Sequence, residues 1–225
     1  MNLLQSFISL LYPNVCPGCG NNIANNSEQI CIVCHVNLPK TYQFLDKQNH
    51  TAKLFWGRYP LEHAFATYSY SKNNVIQNLI YDLKYRGNQE VGKLLGQNIA
   101  KEVKESNLSI DVIIPVPLHP SKLQQRGYNQ SLSIAEGIQE ILSCPIDTTT
   151  LIRAINTDSQ TRKTKFERWE NVKEIFNLSN NIELENLHVL LVDDVVTTGS
   201  TIEGCCHTLG QIKNIRVSVV AIATA

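Results

Sequence analysis

This chain of 225 residues lacks several features that would assign it to a class at once. It contains no run of about 18 apolar residues, so we expect no membrane-spanning helix. Its 20 basic and 20 acidic residues balance, so no overall charge attracts it to DNA or to an anionic membrane. The amino-terminal stretch has neither the positive start nor the small-residue cleavage site of a signal peptide. We predict a short amphipathic helix there and not an exported chain.

The composition is otherwise typical of a globular protein, with 43% apolar and 18% charged residues. The length allows one substantial domain and a small appendage. We divide the chain into residues 1–40, which hold a cysteine module, a linker over residues 41–63, and a main body over residues 64–225.

Four of the seven cysteines lie between residues 16 and 34, as two Cys-x-x-Cys pairs. The odd total and the clustering favour a metal site in a reducing compartment, the cytoplasm, over a disulfide framework. Four sulfur ligands with no open position define a structural zinc site. The predicted zinc ligands are Cys16, Cys19, Cys31 and Cys34. His35 follows directly, and we treat it as a non-ligand because four sulfurs complete the coordination shell.

From about residue 64 onward, apolar strands alternate with amphipathic helices. The predicted strands are AFATYSY, DVIIPVPL, HVLLVDD and RVSVVAIATA, and the predicted helices are VIQNLIYDLKY, EVGKLLGQNIAKEV, NQSLSIAEGIQEIL and STIEGCCHTLGQI. This alternation predicts an α/β fold with a mostly parallel sheet covered on both faces. Ligands of such sheets bind outside the carboxyl ends of the strands, where the two most informative motifs of the chain lie.

The first motif, VLLVDDVVTTGST, runs a buried strand into two acids and then into a turn of small hydroxyl residues. Asp193 and Asp194 emerge where the strand meets solvent, and their oxygens can accept hydrogen bonds from the vicinal hydroxyls of a sugar. Gly199 can adopt a positive φ, and the unpaired amides of the following helix suit a phosphate. No lysine follows the glycine, so the turn is not a Walker A loop. The motif therefore predicts a site for a phosphorylated pentose.

The second motif, VIIPVPLHPSKLQQRGYNQS, places three prolines just past a strand and then supplies two cations, Lys122 and Arg126. Prolines stiffen the backbone, and fixed cations beside exposed amides suit a pyrophosphate. A plain proline-rich loop with solvated cations is the alternative. Lys84 and Arg86, at the end of a predicted helix, either complement the helix dipole or reach a pyrophosphate or DNA.

A third stretch, SQTRKTKFERWENV, is polar and interleaves cations with Phe166 and Trp169. Its four candidate contacts to DNA or pyrophosphate are Arg162, Lys163, Lys165 and Arg168. Two interpretations stay open. The aromatic and basic residues could stack on and bind single-stranded bases, or they could belong to a solvated helix with both aromatic residues facing the core.

The first motif resembles, over its whole length, the phosphoribosyl pyrophosphate (PRPP) binding motif of type I phosphoribosyltransferases. Together with the cysteine pairs, LKYRG and the second and third stretches, the chain resembles the ComF family of competence-associated proteins. The resemblance implies a type I phosphoribosyltransferase fold in which Asp193 and Asp194 are catalytic and hold the ribose. It implies that PRPP is held by Val195, Val196, Thr197, Thr198, Gly199, Ser200, Thr201, Lys122 and Arg126.

The same resemblance implies Mg²⁺ bound with PRPP and a flexible lid over residues 159–172. Two functions follow from it. The chain is either an enzyme that transfers a phosphoribosyl group to an unidentified acceptor, or a protein that handles single-stranded DNA during natural transformation. The second function implies a DNA helicase as partner.

Overall fold

The computed structural model describes residues 14–23, 28–153, 175–179 and 183–225. The predicted amino-terminal helix and the stretch that contains Arg162, Lys163, Lys165 and Arg168 lie outside these ranges. The helices are α1 (Ile32–Val36), α2 (His50–Lys53), α3 (Val75–Tyr85), α4 (Gln89–Glu105), α5 (Pro120–Arg126), α6 (Gln130–Leu142) and α7 (Ser200–Leu209). The strands are β1 (His63–Ser69), β2 (Val112–Pro115), β3 (Leu151–Arg153), β4 (Phe176–Leu178), β5 (His188–Val196) and β6 (Arg216–Thr224).

Four of the strands form a parallel sheet in the order β1-β6-β5-β2, which confirms the predicted α/β fold with a mostly parallel sheet. In this sheet Val192 of β5 is aligned with Pro115 of β2, and Asp193 is aligned with Ala221 of β6. The carboxyl ends of β2, β5 and β6 therefore lie at one edge. The short strands β3 and β4 pair separately and antiparallel.

Both faces of the sheet are buried, because successive side chains of each strand point to opposite sides. Leu190, Val192 and Val220 belong to one apolar core, which packs against α3, α4 and α6. Leu191 and Val219 belong to the other, which packs against α7 and the segment that contains α2. Within α7, Cys205 and Cys206 are fully buried, whereas Cys144 is only partly buried.

Helices α4 and α6 approach each other closely through two glycines. A Cβ atom at Gly96 would collide with the carbonyl oxygen of Ile134, and one at Gly137 would collide with the carbonyl oxygen of Lys93. Only glycine permits this contact between the two backbones. The contact fixes where α6 lies along α4.

The segment before β1 is folded onto the body. It contains a 3₁₀ turn (Gln43–Leu45) and α2, which is capped by the buried side chain of Asn49. The Nδ2 atom of Asn49 also donates to the carbonyl oxygen of Ala64 in β1 at 2.7 Å. Phe55 is 1% exposed. The domain boundaries at residues 40 and 63 stay a prediction.

The second motif contains helix α5 (Pro120–Arg126), where the prolines predict a loop. Pro120 begins α5, a position at which its missing amide hydrogen costs nothing. The side chain of His119 accepts a hydrogen bond from the amide of Ser121, and Gly127 ends the helix with φ of 78°. Among the helices in the described parts of the chain, none is long and apolar enough to cross a membrane.

Candidate functional site

The four cysteines of the amino-terminal module converge on one point. The Sγ atoms of Cys16, Cys19, Cys31 and Cys34 all lie within 4.8 Å of one another. Those of Cys19 and Cys31 are 3.7 Å apart, close to the spacing of about 3.8 Å that a tetrahedral zinc–sulfur shell requires. Backbone amides of Cys31 and Cys34 donate to the Sγ atoms of Cys16 and Cys31. The cluster could therefore hold a structural metal ion such as zinc.

The electrostatics of the cluster also suit a cation. Burial raises the pKa of Cys34, and the neighbouring thiols raise it further. Burial also acts to raise the pKa of Cys16, but hydrogen bonds from the amide of Cys31 and other backbone groups lower it to about 7. One thiol thus ionises readily while its neighbour resists ionisation. Four thiolates can coexist in this space only around a metal ion.

The cysteine module is packed against α3. The Nδ2 atom of Asn78 donates to the carbonyl oxygen of Gly18 at 2.7 Å. A Cβ atom at Gly18 would lie 2.9 Å from Cγ1 of Val75 and 3.0 Å from Sγ of Cys34, so the contact requires a residue without a side chain. A cavity of 630 Å³ lies beside this contact and is lined by the cysteine turn, Tyr81 and Arg86.

The two acids of the first motif stand at the carboxyl end of β5, where both are partly buried. The amide of Asp194 donates to Oδ1 of Asp193 at 2.8 Å, and the hydroxyl of Ser131 donates to the same oxygen at 3.3 Å. Ser131 lies in the first turn of α6, whose N-cap Asn129 donates to the carbonyl oxygen of Val116 at 3.0 Å. The ends of β2 and β5 and the start of α6 therefore meet at the acids. We call Asp193 and Asp194 the acid pair.

The acid pair carries less negative charge than two ordinary carboxylates. Burial raises the pKa of Asp193 to about 7, and the charge of Asp194 adds to this effect. Lys84 acts in the opposite direction, since its Nζ atom lies 3.0 Å from Oδ1 of Asp194. From the sequence, two interpretations of Lys84 stay open: it complements the helix dipole, or it contacts a ligand. The structure places it on the acid pair.

The hydroxyl-rich turn follows the acid pair directly. Thr197, Thr198 and Ser200 are exposed, and the hydroxyl oxygens of Thr198 and Ser200 are 3.0 Å apart. Gly199 adopts φ of 77° and is the N-cap of α7, and the amide of Ser200 donates to the hydroxyl oxygen of Thr198 at 3.5 Å. The start of this ten-residue helix suits an anion, because its next amides point out of the helix and the helix dipole favours negative charge.

Two residues outside the motifs shape this turn. A Cβ atom at Gly199 would lie 2.9 Å from Cε1 of the buried ring of Phe55. The Nη1 atom of Arg58 donates to the carbonyl oxygen of Thr198 at 3.1 Å and lies 3.4 Å from Oε2 of Glu203. Neither residue is predicted from the sequence, because nothing in the local pattern of residues 41–63 points to a turn so far along the chain.

A cavity of 360 Å³ opens beside the acid pair. Asp194, Val195 and Thr197 line it from the end of β5. From α3 it is lined by Lys84 and two tyrosines, Tyr81 and Tyr85. Lys84 and Arg86 therefore face different spaces, because Arg86 lines the cavity beside the cysteine module.

Tyr81 and Tyr85 form an exposed aromatic surface at the mouth of this cavity, which we call the tyrosine pair. Their ring centroids are 4.9 Å apart, and 54% and 61% of the two residues are exposed. The guanidinium of Arg86 lies 5.8 Å from the ring centroid of Tyr81, and that of Arg126 lies 5.4 Å from the centroid of Tyr85. The structure thus brings Arg126 to the tyrosine pair, while Lys122 is exposed on α5.

Comparison with known proteins agrees with this arrangement. The sequence profile of the phosphoribosyl transferase domain family matches residues 85–225. DNA utilization protein YhgH of Salmonella typhi is 33% identical over 129 residues, which are 55% of this chain and 56% of that protein. Competence protein ComFC of Bacillus subtilis (strain 168) is 29% identical over 136 residues, 59% of this chain and 52% of that protein. The chain spans about half the length of the curated relatives it matches.

A solved adenine phosphoribosyltransferase from Saccharomyces cerevisiae aligns with 63% of this chain and 72% of its own, at 12% identity. The TM-score of this alignment is 0.42. The family match covers more than half of the chain, and the matched residues contain the acid pair and the hydroxyl-rich turn. The chain carries a four-cysteine cluster and is similar to proteins named for competence and DNA utilization. It belongs to the phosphoribosyl transferase domain family.

Proposed function

We propose that this chain binds PRPP together with Mg²⁺ at the carboxyl end of β5 and transfers its phosphoribosyl group to an acceptor. One observation carries the proposal. The partly buried acid pair is followed two residues later by an exposed hydroxyl-rich turn at the start of a helix, and Asp194 and Thr197 line the same cavity of 360 Å³. A phosphorylated pentose requires acceptors for its vicinal hydroxyls and donors for its phosphate within the length of one sugar.

The proposed roles follow from the chemistry of each group. Asp193 and Asp194 accept hydrogen bonds from the ribose hydroxyls. The backbone from Val195 to Thr201 passes around the 5-phosphate, which receives donors from the hydroxyls and from the first amides of α7. Gly199 supplies the positive φ on which this path depends.

The leaving pyrophosphate requires positive charge. In this proposal Lys84 supplies it from the cavity wall. Lys122 and Arg126 of α5 add to it, and Arg126 lies beside Tyr85, which lines the cavity. Mg²⁺, when bound with PRPP, neutralises further charge on the pyrophosphate oxygens. Catalysis then rests on holding the reacting atoms in position and on stabilising charge, as in phosphoryl transfer.

The test is calorimetric titration of PRPP with Mg²⁺ into the wild-type chain and into Asp193→Asn/Asp194→Asn. We expect the double variant to lose at least about 100-fold in affinity, because two ribose acceptors are weakened together. Glu185→Gln is the matched control, since this exposed acid lies beyond the opposite end of β5. Unchanged affinity in the double variant would remove the acid pair from the ribose site.

Transfer itself requires a second measurement. Pyrophosphate release from PRPP should be followed across a panel of nitrogen-containing acceptors, and it should depend on the acid pair. If wild type binds PRPP tightly but releases no pyrophosphate with any acceptor of the panel, transfer to these acceptors is rejected and binding remains as the function.

A second candidate function is the binding of single-stranded DNA, and the tyrosine pair favours it. Neighbouring exposed aromatic rings with cations beside them can hold successive bases while the cations contact the phosphates. Related proteins are named for DNA utilization and competence. In this role we propose a cytoplasmic protein that works with a DNA helicase, and Arg162, Lys163, Lys165 and Arg168 would extend the basic surface.

The DNA proposal is tested with a fluorescent oligonucleotide and Tyr81→Ala/Tyr85→Ala. We expect the loss of two stacking contacts to weaken binding at least about tenfold. Trp56→Ala is the matched control, since Trp56 is an exposed aromatic residue with Lys53 over its ring elsewhere on the surface. Changing the four basic residues of the third stretch to alanine should flatten the salt dependence of binding. Equal affinity of the tyrosine variant and its control would reject the tyrosine pair as a DNA surface.

A further inference from the structure

The ion pair between Lys84 and Asp194 occupies the place where the proposed ligand must bind. Nζ of Lys84 lies 3.0 Å from Oδ1 of Asp194, and only 21% and 14% of the two side chains are exposed. Both residues line the cavity of 360 Å³. A sugar hydroxyl that reaches Asp194 from this cavity therefore meets an oxygen that is already ion-paired with a lysine.

The shielding of this pair gives it more weight than an ordinary surface ion pair. Exposed pairs contribute little because water screens both charges. In a partly buried pair the attraction is stronger, and removal of one partner leaves the other charge poorly solvated. In the described part of the chain, Lys84 is the basic residue that forms an ion pair with the acid pair.

We infer that Lys84 is a displaceable counter-ion, which balances the acid pair in the unliganded protein and moves onto a phosphate oxygen when a phosphosugar binds. This inference rests on the proposed function and adds to it a rule of selection. A divalent cation alone meets an Asp194 carboxylate that is already paired with a lysine, so it binds weakly. A cation that arrives on a phosphosugar brings the phosphate oxygens that receive the lysine.

The surroundings of Lys84 permit this movement. Its helix is anchored by fully buried neighbours such as Leu79 and Leu83, so the backbone stays in place. Its flexible side chain lies beside Tyr81 and Tyr85, which are more than half exposed. The ammonium group can thus turn toward the cavity without any change in the fold of α3.

The experiment measures Mn²⁺ binding without phosphosugar, by the paramagnetic resonance signal of unbound Mn²⁺. For this titration the protein is used with a metal ion already bound at the cysteine cluster. Wild type is compared with Lys84→Met, Lys84→Arg and Lys93→Met, the last removing a lysine that pairs with Glu90 and Glu136 on an exposed surface. We expect Lys84→Met to bind Mn²⁺ about tenfold more tightly than wild type, since an opposing charge within hydrogen-bond distance has been removed. Lys84→Arg and Lys93→Met should match wild type.

Calorimetry with PRPP and Mg²⁺ gives the second half of the test. Lys84→Met should bind PRPP about tenfold more weakly, although it binds the bare cation more tightly. Mn²⁺ affinity unchanged in Lys84→Met would overturn the inference and show a lysine that only anchors α3. Failure of wild type to bind PRPP would instead overturn the proposed function, and the Mn²⁺ measurement would still decide whether Lys84 excludes bare cations.

Discussion

The cysteine cluster and the acid pair are both groups of like-charged ligands, but the chain balances their charge in different ways. The four thiols have hydrogen bonds from amides and no ion pair among the described residues. The acid pair has Lys84 at 3.0 Å and a protonation equilibrium shifted toward the neutral form of Asp193. We therefore expect the first site to depend on a metal ion once its thiols ionise. The acid pair does not depend on a ligand in this way, because Lys84 balances its charge.

The sharpest way to break this comparison is to remove the metal from the first site. Chelation, or Cys34→Ser, should lower the free energy of unfolding by at least about 4 kcal/mol, because metal binding folds such modules. For a chain of this size that corresponds to a fall of roughly 10 °C in Tm. Cys144→Ser, outside the cluster, should leave the metal content unchanged. Equal Tm values with and without metal would show that the apolar contacts to α3 hold the module alone.

A smaller effect separates two glycines that share one backbone conformation. Gly20 beside the cysteines and Gly199 in the hydroxyl-rich turn both have φ of 77°. A Cβ atom at Gly20 meets nothing within 4 Å, whereas one at Gly199 lies 2.9 Å from the ring of Phe55. We expect Gly20→Ala to cost about 1 kcal/mol of stability and Gly199→Ala about 3 kcal/mol, with loss of PRPP binding only in the second. Chemical denaturation would measure both, and equal costs would mean that Phe55 moves aside freely.

The smallest effect concerns pH. Asp193 has its pKa raised by burial from 3.8 to about 7, so between these values the folded state holds a proton that the unfolded state has released. Its stabilising effect is complete below about pH 4 and is lost as the pH rises through 7. The full shift corresponds to about 4 kcal/mol, and because Asp193 is partly exposed we expect about half of it. Wild type should therefore lose about 2 kcal/mol relative to Asp193→Asn between pH 4 and pH 8.

The pH dependence sharpens the comparison because the cysteine site should respond in the opposite direction. Thiols must lose protons to bind metal, so metal affinity rises with pH. Glu102, whose pKa burial raises to about 7, contributes equally to wild type and to Asp193→Asn and cancels in their difference. Parallel pH curves for the two proteins would place the titrating group elsewhere.

The two sites also differ in how far the sequence predicts them. Each cysteine pair places two ligands within one turn, so the cluster follows from local spacing. The acid pair and its turn are local too, but Lys84, Ser131, Phe55 and Arg58 reach them through the fold. The positions of these four residues relative to the acid pair depend on strand order and helix packing, and a local sequence pattern predicts neither of them.

The same reason explains which elements were predicted. Helix α3 was predicted with its observed bounds because its buried positions recur at helical spacing. Helix α5 was missed because none of its seven residues is buried, so it has no apolar period to detect. Its signals are Pro120 at the start and Gly127 at the end, which a stiff loop shares. The three-residue strands β3 and β4 are too short for any alternation to show.

The glycine contact between α4 and α6 means that the cleft can be damaged from a distance. Helix α6 begins at the acid pair, where the hydroxyl of Ser131 meets Asp193, and Gly137 sits two turns further along against α4. A methyl group at position 137 would collide with the carbonyl oxygen of Lys93 and displace helix α6 away from α4. The acid pair would then be displaced from the position proposed for the ribose, although residue 137 lies outside the proposed ligand contacts.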